Sequence, residues 1–409
     1  YVNGPPHIGH AIQKVWADVI ARFYRQKGFN VWFLTGTDEH GVNIVRPAEK
    51  LNKTPQELAD ENAVKFQGLR EILNLSWNDF IRTSYRKKHW PGAKLMWQKL
   101  ARAGDIYKKR YHGLYCAGHE AFITAKDLIN GLCALHGKKP EVIDEENYFF
   151  KLSKYSKTIE KKIKSGKFKI LPESRRNEIL SFIKEGLEDV SFSRPAKDIS
   201  WGIPVPSDPS QTMYVWCDAL TNYLSAIGYG RNNDWERLWP CDLHVLGKDN
   251  LRFHAAIWPG MLLSAGLPLP KAIFVHGFIT ALGQKMSKTI GNVISPYDLV
   301  KKYGTDAVRY YFLREVSSYN DGDFTYEKFK ERYSADLAKG LGNLVSRVLT
   351  LAPGSNVKEV KNFKTEIKNT ETNIKKAISK FKFNDVLIAL WQLIALGNKY
   401  IDSKKPWTL

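Results

Sequence analysis

The sequence predicts an α/β protein that closes in an all-helical segment, and three observations carry that expectation. Apolar residues recur three and four apart through Ile8, Ile12, Trp16, Val19, Ile20 and Phe23, so an amphipathic helix opens the chain. Apolar runs at 30–35, 211–220, 243–246 and 272–278 read as strands, several of them running into glycine, aspartate or lysine. From about Tyr326 the pattern turns wholly helical. Leu337, Leu341, Leu344, Val345 and Val348 share one face, and Ile374, Ala377, Ile378 and Phe381 repeat the spacing.

Length and charge narrow the class. A chain of 409 residues allows two or three domains, and 43% hydrophobic with 25% charged residues is a folding composition. No apolar run reaches the ~20 residues of a membrane span, which excludes an integral helical membrane protein. The net charge of +20, from 62 basic and 42 acidic residues, suits a polyanionic partner, although a generally lysine-rich surface gives the same surplus. Four cysteines do not make a disulfide scaffold; they fit a reducing cytoplasm, with thiols available for metal. The chain opens at Tyr1 without methionine and stops soon after Pro406-Trp407. Native sequence is therefore expected beyond both ends, which keeps an organellar location open.

Taken in order, 1–4 reads as the tail of a strand. Pro5-Pro6-His7-Ile8-Gly9-His10 then starts the first helix. His7 and His10 fall in its first turn, where unpaired N–H groups and the helix dipole favour phosphate, and Gly9 permits close approach. Without other evidence the stretch is equally a proline-led helix start. The strand at 30–35 runs into Gly36-Thr37-Asp38-Glu39-His40-Gly41, which puts carboxylates at the ligand edge of an open sheet. Helices follow at 55–73 and 87–103, then a short strand at 111–115. Cys116-x-x-His119 and Cys133-x-x-His136 form two tight pairs, the donor set of tetrahedral zinc. An extended run at 145–155, a basic helix at 156–169 that reads as a solvated face, and a helix at 179–186 come next. The strand at 211–220 ends at Trp216 and Asp218; Cys217 within it has no Cys or His partner and reads as a small hydrophobe. The strand from Leu243 leads to Gly247-Lys248-Asp249-Asn250, and a helix carries Phe253, His254, Ile257 and Trp258. The strand at 272–278 enters a polar loop, 283–292, that contains Lys285-Met286-Ser287-Lys288-Thr289. Residues 296–314 are helical.

Together, His7-Ile8-Gly9-His10 and Lys285-Met286-Ser287-Lys288-Thr289 resemble the paired "HIGH" and "KMSKS" signatures of class I aminoacyl-tRNA synthetases. Thr289 replaces the last serine and keeps its hydroxyl. The string from Thr35 to Gly41 and the aromatic residues after Gln211 narrow the resemblance to methionyl-tRNA synthetases, over nearly the whole chain. That resemblance implies a Rossmann-like catalytic domain in two halves (1–104 and 211–325). Between them it places a connective insertion with a zinc knuckle (105–210), and after them a helical anticodon-binding bundle (326–409). The implied reaction joins methionine to tRNA-Met with ATP and Mg2+. Methionyl-adenylate and pyrophosphate form first, and the terminal adenosine of the tRNA then takes the acyl group.

The resemblance also assigns residues. His7, His10, Lys285 and Lys288 are the catalytic set, and Gly9, Gly247, Lys248, Asp249 and Ser287 join them around ATP. Asp38 binds the methionine ammonium, in a pocket with Tyr1, Trp216, Ala219, Tyr223, Asn250, His254 and Trp258. An aromatic pocket suits a polarizable thioether, and homocysteine is its foreseeable error. Cys116, His119, Cys133 and His136 hold structural Zn2+; relatives use mostly cysteines there. Asn343, Arg347 and Trp407 read the anticodon. Asn343 and Arg347 are four apart, on a face expected to lie away from Leu337, Leu341 and Leu344 and towards solvent. Three rivals weigh less. A synthetase for cysteine or leucine lacks this pocket and this short insertion. A small nucleotidyltransferase lacks the helical tail, and a non-catalytic RNA-binding relative would have lost a signature histidine or lysine.

Overall fold

The computed structural model describes the chain apart from residues 117–120, 124, 135–136, 287–290, 352–362 and 409, and apart from the side chains of 121, 122, 126, 285 and 408. His119, His136, Ser287 and Lys288 therefore lie outside the described residues. The chain divides into two compact units. One comprises 1–6, 30–68 and 76–275; the other comprises 7–29, 69–75 and 276–409.

The first unit holds the ligand-edge turn and the aromatic residues. Its parallel pair Leu34–Thr37 and Asp79–Arg82 carries the turn at Asp38. A Cβ on Gly36 would meet the Ile81 carbonyl at 2.2 Å, so only glycine lets these strands approach. A second sheet orders His244–Gly247, Ala272–His276 and Lys169–Leu171. The long hairpin Ile106–Cys116 with Glu141–Phe150 forms a four-stranded antiparallel sheet with Ala121–Ile123 and Val190–Ser191. The unit's largest core gathers Trp97, Phe150, Phe168, Phe192, Trp239, Trp258 and Ile273.

Three sequence expectations need correction here. Residues 1–4 form no strand; they are tied by single bonds, Val2 N–H to Asp38 C=O at 3.2 Å and Asn62 Nδ2 to Val2 C=O at 2.7 Å. The strand at 30–35 begins only at Leu34, because Asn78 takes both backbone groups of Phe33, each at 2.8 Å. Trp32 is exposed rather than buried. The run 211–220 is a strand only to Met213, and Val215–Leu220 is a short helix buried nearly all round. Periodicity does not separate a buried helix from a buried strand over so few residues.

In the second unit the helix Ile8–Gln26 buries Ile8, Ile12, Trp16 and Ile20, as its spacing predicts. Trp16 stacks on Phe383, 5.9 Å between centroids, and donates to the Phe312 carbonyl. Asp18 is fully buried and pairs with Arg22 and Arg309, each at 2.8 Å. Helices Pro296–Tyr303 and Thr305–Arg314 break at Gly304. The helices Tyr326–Arg332, Asn343–Leu351, Lys364–Ile378 and Phe383–Lys404 follow, with a π-type turn over Tyr333–Gly342.

The tail's orientation differs from expectation. Leu341, Val345 and Val348 are exposed. Asn343 is exposed as expected while bonding Asn398 at 3.1 Å, whereas Arg347 is half-buried and bonds Asp402 at 2.5 Å, both partners on the helix Phe383–Lys404. An apolar stripe marks a buried face only when its neighbour offers apolar surface.

Candidate functional site

The second unit carries the phosphate signature. His7 caps the first helix. Its Nδ1 accepts the Gly9 N–H at 3.0 Å, while the His7 N–H donates to His10 Nδ1 at 3.2 Å. Burial and nearby Lys14 push the His7 pKa down to about 4, and burial with His7 and Lys14 lowers that of His10. Both rings are therefore neutral at pH 7. Since each Nδ1 accepts, each Nε2 carries the hydrogen and is a donor. The helix start thus sets two neutral imidazoles side by side at the positive end of a helix dipole, while its first backbone N–H groups bond within the chain. A Cβ on Gly9 would sit 2.8 Å from the His7 ring, so glycine makes room for the cap itself.

The lysine loop leaves from the same unit. Thr280 and the Gly283 N–H both donate to Asp323 Oδ1, at 2.6 and 2.8 Å, and Gln284–Lys285 pairs with Thr280–Ala281. Beyond the loop, the Ile294 carbonyl accepts the Ile8 N–H at 3.0 Å, which ties the loop's exit to the histidine helix.

In the first unit, two neighbouring carboxylates have different surroundings. Glu39 is fully buried and satisfied: Thr37 donates at 2.7 Å, Arg82 at 2.8 and 3.0 Å, and Ser84 adds a further bond. Trp201 Nε1 holds the Glu39 carbonyl at 2.5 Å. Asp38 is only half-buried as a residue, but its Oδ1 is sealed from solvent with no hydrogen-bond partner among the described residues. Burial pushes the Asp38 pKa up to about 7, Asp218 adds to the rise, and His40 pulls against it. A sealed carboxylate oxygen lacking a donor is matched to a cation brought from outside.

Beside Asp38 stands an aromatic wall; its charge acts on the Tyr223 hydroxyl. Tyr223 donates to His254 Nε2 at 2.8 Å, and His254 Nδ1 donates to the Asn250 carbonyl at 3.1 Å. A carbonyl only accepts, so the tautomer is set with Nε2 as acceptor. Burial lowers the His254 pKa to about 4, which keeps the ring neutral. Trp258 is fully buried, 6.1 Å from Tyr223 between centroids, and Ala219 is buried as well. Trp216 meets Tyr1 edge-on at 6.3 Å. The structure thus gathers Tyr1, Asp38, Trp216, Ala219, Tyr223, Asn250, His254 and Trp258 in one unit. Gly247, Lys248 and Asp249 follow the strand His244–Gly247 in that unit too.

Several residues here escaped sequence reasoning. Phe253 stacks on Trp216 at 3.7 Å, and His244 lies 4.2 Å from the Tyr223 ring. Asp218 accepts His40 Nδ1 and His89 Nε2, both at 2.5 Å. Phe253 and His244 neighbour predicted site residues in sequence and could have been found that way; His89 gives no local signal.

Cys116 and Cys133 are buried in one small cluster with Ile123, flanked by Leu114 and Leu128. Cys116 ends a long strand, and Cys133 sits in the hairpin Leu128–Ile129 with Leu132–Cys133. In the helical tail, the Arg347 guanidinium lies over the Trp407 ring at 5.6 Å, and Trp407 is 54% exposed. Among the described residues no helix is long and apolar enough to cross a membrane.

Comparison with known proteins adds the family. A model described as class I tRNA synthetases (M) matches residues 1–126 and 123–349. A methionine–tRNA ligase of Brucella melitensis is 42% identical over 425 residues, spanning 100% of this chain and 82% of its own. One of Bacillus subtilis is 43% identical, over 100% of this chain and 65% of its own. A crystal structure of Mycobacterium tuberculosis methionyl-tRNA synthetase bound by methionyl-adenylate superposes with a TM-score of 0.93. It is 38% identical, covering 100% of this chain and 83% of that one. The free-state structure from the same organism gives 0.84 at 36% identity, covering 100% of this chain and 80% of its own.

Proposed function

The chain belongs to the methionine–tRNA ligase family of class I aminoacyl-tRNA synthetases, and from that premise we propose how its residues divide the work. The reaction has two steps. A methionine carboxylate oxygen attacks the α-phosphorus of ATP; the bond to the β-phosphate oxygen breaks and pyrophosphate leaves. A terminal ribose hydroxyl of tRNA-Met then attacks the methionyl carbonyl, and AMP leaves with its phosphate oxygen. No protein nucleophile is required. The protein aligns the reactants and offsets charge on a five-coordinate phosphorus, so catalysis is positioning plus electrostatics.

Asp38 takes the methionine ammonium. The supporting observation is its sealed oxygen, lacking a donor, beside an aromatic wall whose His254–Tyr223 pair is fixed in tautomer. Tyr1, Trp216, Ala219, Tyr223 and Trp258 surround the thioether, and Asn250 sets His254. His7 and His10 present Nε2–H groups to the triphosphate, with Gly9, Gly247, Lys248 and Asp249 contributing to ATP binding. Lys285, Ser287 and Lys288 close on the departing pyrophosphate. Mg2+ enters with ATP as part of the substrate.

Cys116 and Cys133, already buried together, would join His119 and His136 in holding zinc; four protein donors would leave no open position, so the metal's contribution would be structural. Asn343, Arg347 and Trp407 read the anticodon from the helical tail, in segment 326–409. The segments 1–104 and 211–325 are the two catalytic halves, and 105–210 is the connective insertion.

The test is ATP–pyrophosphate exchange across the amino acids, repeated with Asp38→Ala. Exchange should depend on methionine and vanish in the variant while ATP binding persists. Undiminished methionine affinity in Asp38→Ala would return Asp38 to the role of a turn residue.

A further inference from the structure

Asp218 is fully buried and accepts one imidazole on each carboxylate oxygen, His40 Nδ1 on one and His89 Nε2 on the other. The three residues come from three separate stretches: the turn after Thr37, the N-cap of the helix Trp90–Arg102, and the helix Val215–Leu220. His89 reaches Asp218 through Nε2, and its Nδ1 lies 2.7 Å from the Ser225 hydroxyl. His40 is the imidazole on which Asp218, Asp38 and Glu39 all act. Its Nε2 is buried without a hydrogen-bond partner among the described residues, in a crevice it shares with Gly41, Arg194 and Trp201.

Structural anchoring does not account for this arrangement. Glu39 already pins the same turn through Thr37, Arg82 and Ser84, with Trp201 on its carbonyl. What the turn still needs is charge balance. Asp38 and Asp218 act on each other as like charges, and burial raises the cost of ionising either. A positive ring between them offsets both.

We propose that His40, held by Asp218 and His89, is a positioning residue for methionine: its charge keeps the Asp38 carboxylate ionised and open to the incoming ammonium. This rests on Asp38 being the ammonium ligand. The side-chain groups that face Asp38 are Asp218, His40 and the Tyr223 hydroxyl. Those facing His40 are Asp218, Asp38 and Glu39, the last already paired with Arg82, together with the Arg194 guanidinium in the shared crevice, itself paired with Glu145. Burial lowers the His40 pKa, but these carboxylates outweigh it and hold it above the ordinary imidazole value. Burial works the other way on Asp218, and the two imidazoles overcome it, holding it at about 2.

The experiment is the pH profile of kcat/KM for methionine in ATP–pyrophosphate exchange, for the full chain and for His40→Asn. Asparagine keeps an N–H donor for Asp218 but cannot carry charge. Without the cation Asp38 holds its proton to higher pH, so the acid limb should move up by about one unit. The variant should lose about fivefold more at pH 7 than at pH 9, with KM for ATP within twofold of the parent. Parallel profiles, or no loss at all, would overturn the proposal. Asp38→Asn serves as the control: if it keeps its KM for methionine, the ammonium assignment fails, independently of the relay. Should His40→Asn not fold, 15N-histidine spectra of the unaltered protein decide. One of the ten histidines still charged at pH 8 supports the relay, and ten neutral rings overturn it.

Discussion

At the scale of single residues, what separates Asp38 from Glu39 is which hydrogen bonds each has already made. Glu39 is saturated, and Asp38 keeps one sealed oxygen without a donor. Burial raises the Asp38 pKa to about 7, so the proton competes with the substrate ammonium near neutrality. A raised pKa means the useful, ionised form is present above pH 7 and lost below it. The KM for methionine should therefore rise on acidification, approaching tenfold per pH unit below pH 7, while the KM for ATP changes less; a flat methionine profile from pH 6 to 8 would contradict the assignment. Asp38→Ala should cost about 3–5 kcal/mol of methionine binding, the scale for breaking a buried ion pair. Lys288 is proposed for a different step. On the proposal that its charge meets the departing pyrophosphate, Lys288→Ala should slow adenylate formation by about 10²–10³ in kcat, with methionine affinity nearly intact. An unchanged kcat with a raised methionine KM would remove Lys288 from that role.

At the scale of elements, helices with long periodic patterns were legible and short buried pieces were not. The first helix follows its spacing from Ile8 to Gln26, because its apolar face and its proline-led start agree. Val215–Leu220 is too short and too buried to show a period, which is why Trp216 and Asp218 sit on a helix rather than a strand. The pairing of Leu34–Thr37 with Asp79–Arg82 is non-local, so nothing in either run announces it. The site residues tied to compact motifs were readable; the contacts of Asp218 with His40 and His89, drawn from distant stretches, were not. Two elements carry predictions. Asp18 joins the first helix to Thr305–Arg314 through Arg309, which is only 15% exposed. Asp18→Ala leaves that guanidinium without its counter-charge, held by the Leu73 carbonyl at 2.8 Å, and should destabilise the fold by about 3 kcal/mol in urea unfolding. The Arg22 bond, at 40% exposure, contributes little of this. A loss below about 1 kcal/mol would show that Arg309 finds another partner. The Cys116 and Cys133 hairpins should bind about one zinc per chain in elemental analysis of protein purified without chelator. Less than a tenth of an equivalent, with activity intact, would leave the cysteines as packing residues.

At the scale of the whole molecule, the +20 charge and the helical tail are proposed to serve the second step of the reaction and to leave the first largely untouched. Amino-acid activation uses small ligands, whereas charging must capture a polyanion and recognise its loop. Capture by lysine and arginine releases counterions, so charging should weaken steeply between 50 and 200 mM salt while pyrophosphate exchange changes little. Recognition is more local. Arg347 is held over Trp407 and pinned by Asp402, which leaves the tryptophan as an exposed flat surface with a guanidinium on it. Single-stranded RNA loops are read by such platforms, through stacking and hydrogen bonds to base edges. A base stacked on an aromatic ring is worth about 1–3 kcal/mol, so Trp407→Ala should reduce kcat/KM for tRNA-Met by about 5- to 150-fold. Arg347→Ala should do the same and also relax discrimination against tRNAs with other anticodons, because it removes both the platform's partner and a base-edge donor. Neither variant should change methionine-dependent exchange by more than about twofold. Equal losses in exchange and charging would show that the pair merely packs the helices Asn343–Leu351 and Phe383–Lys404 together. Charging untouched by either variant would move anticodon reading elsewhere on the tail.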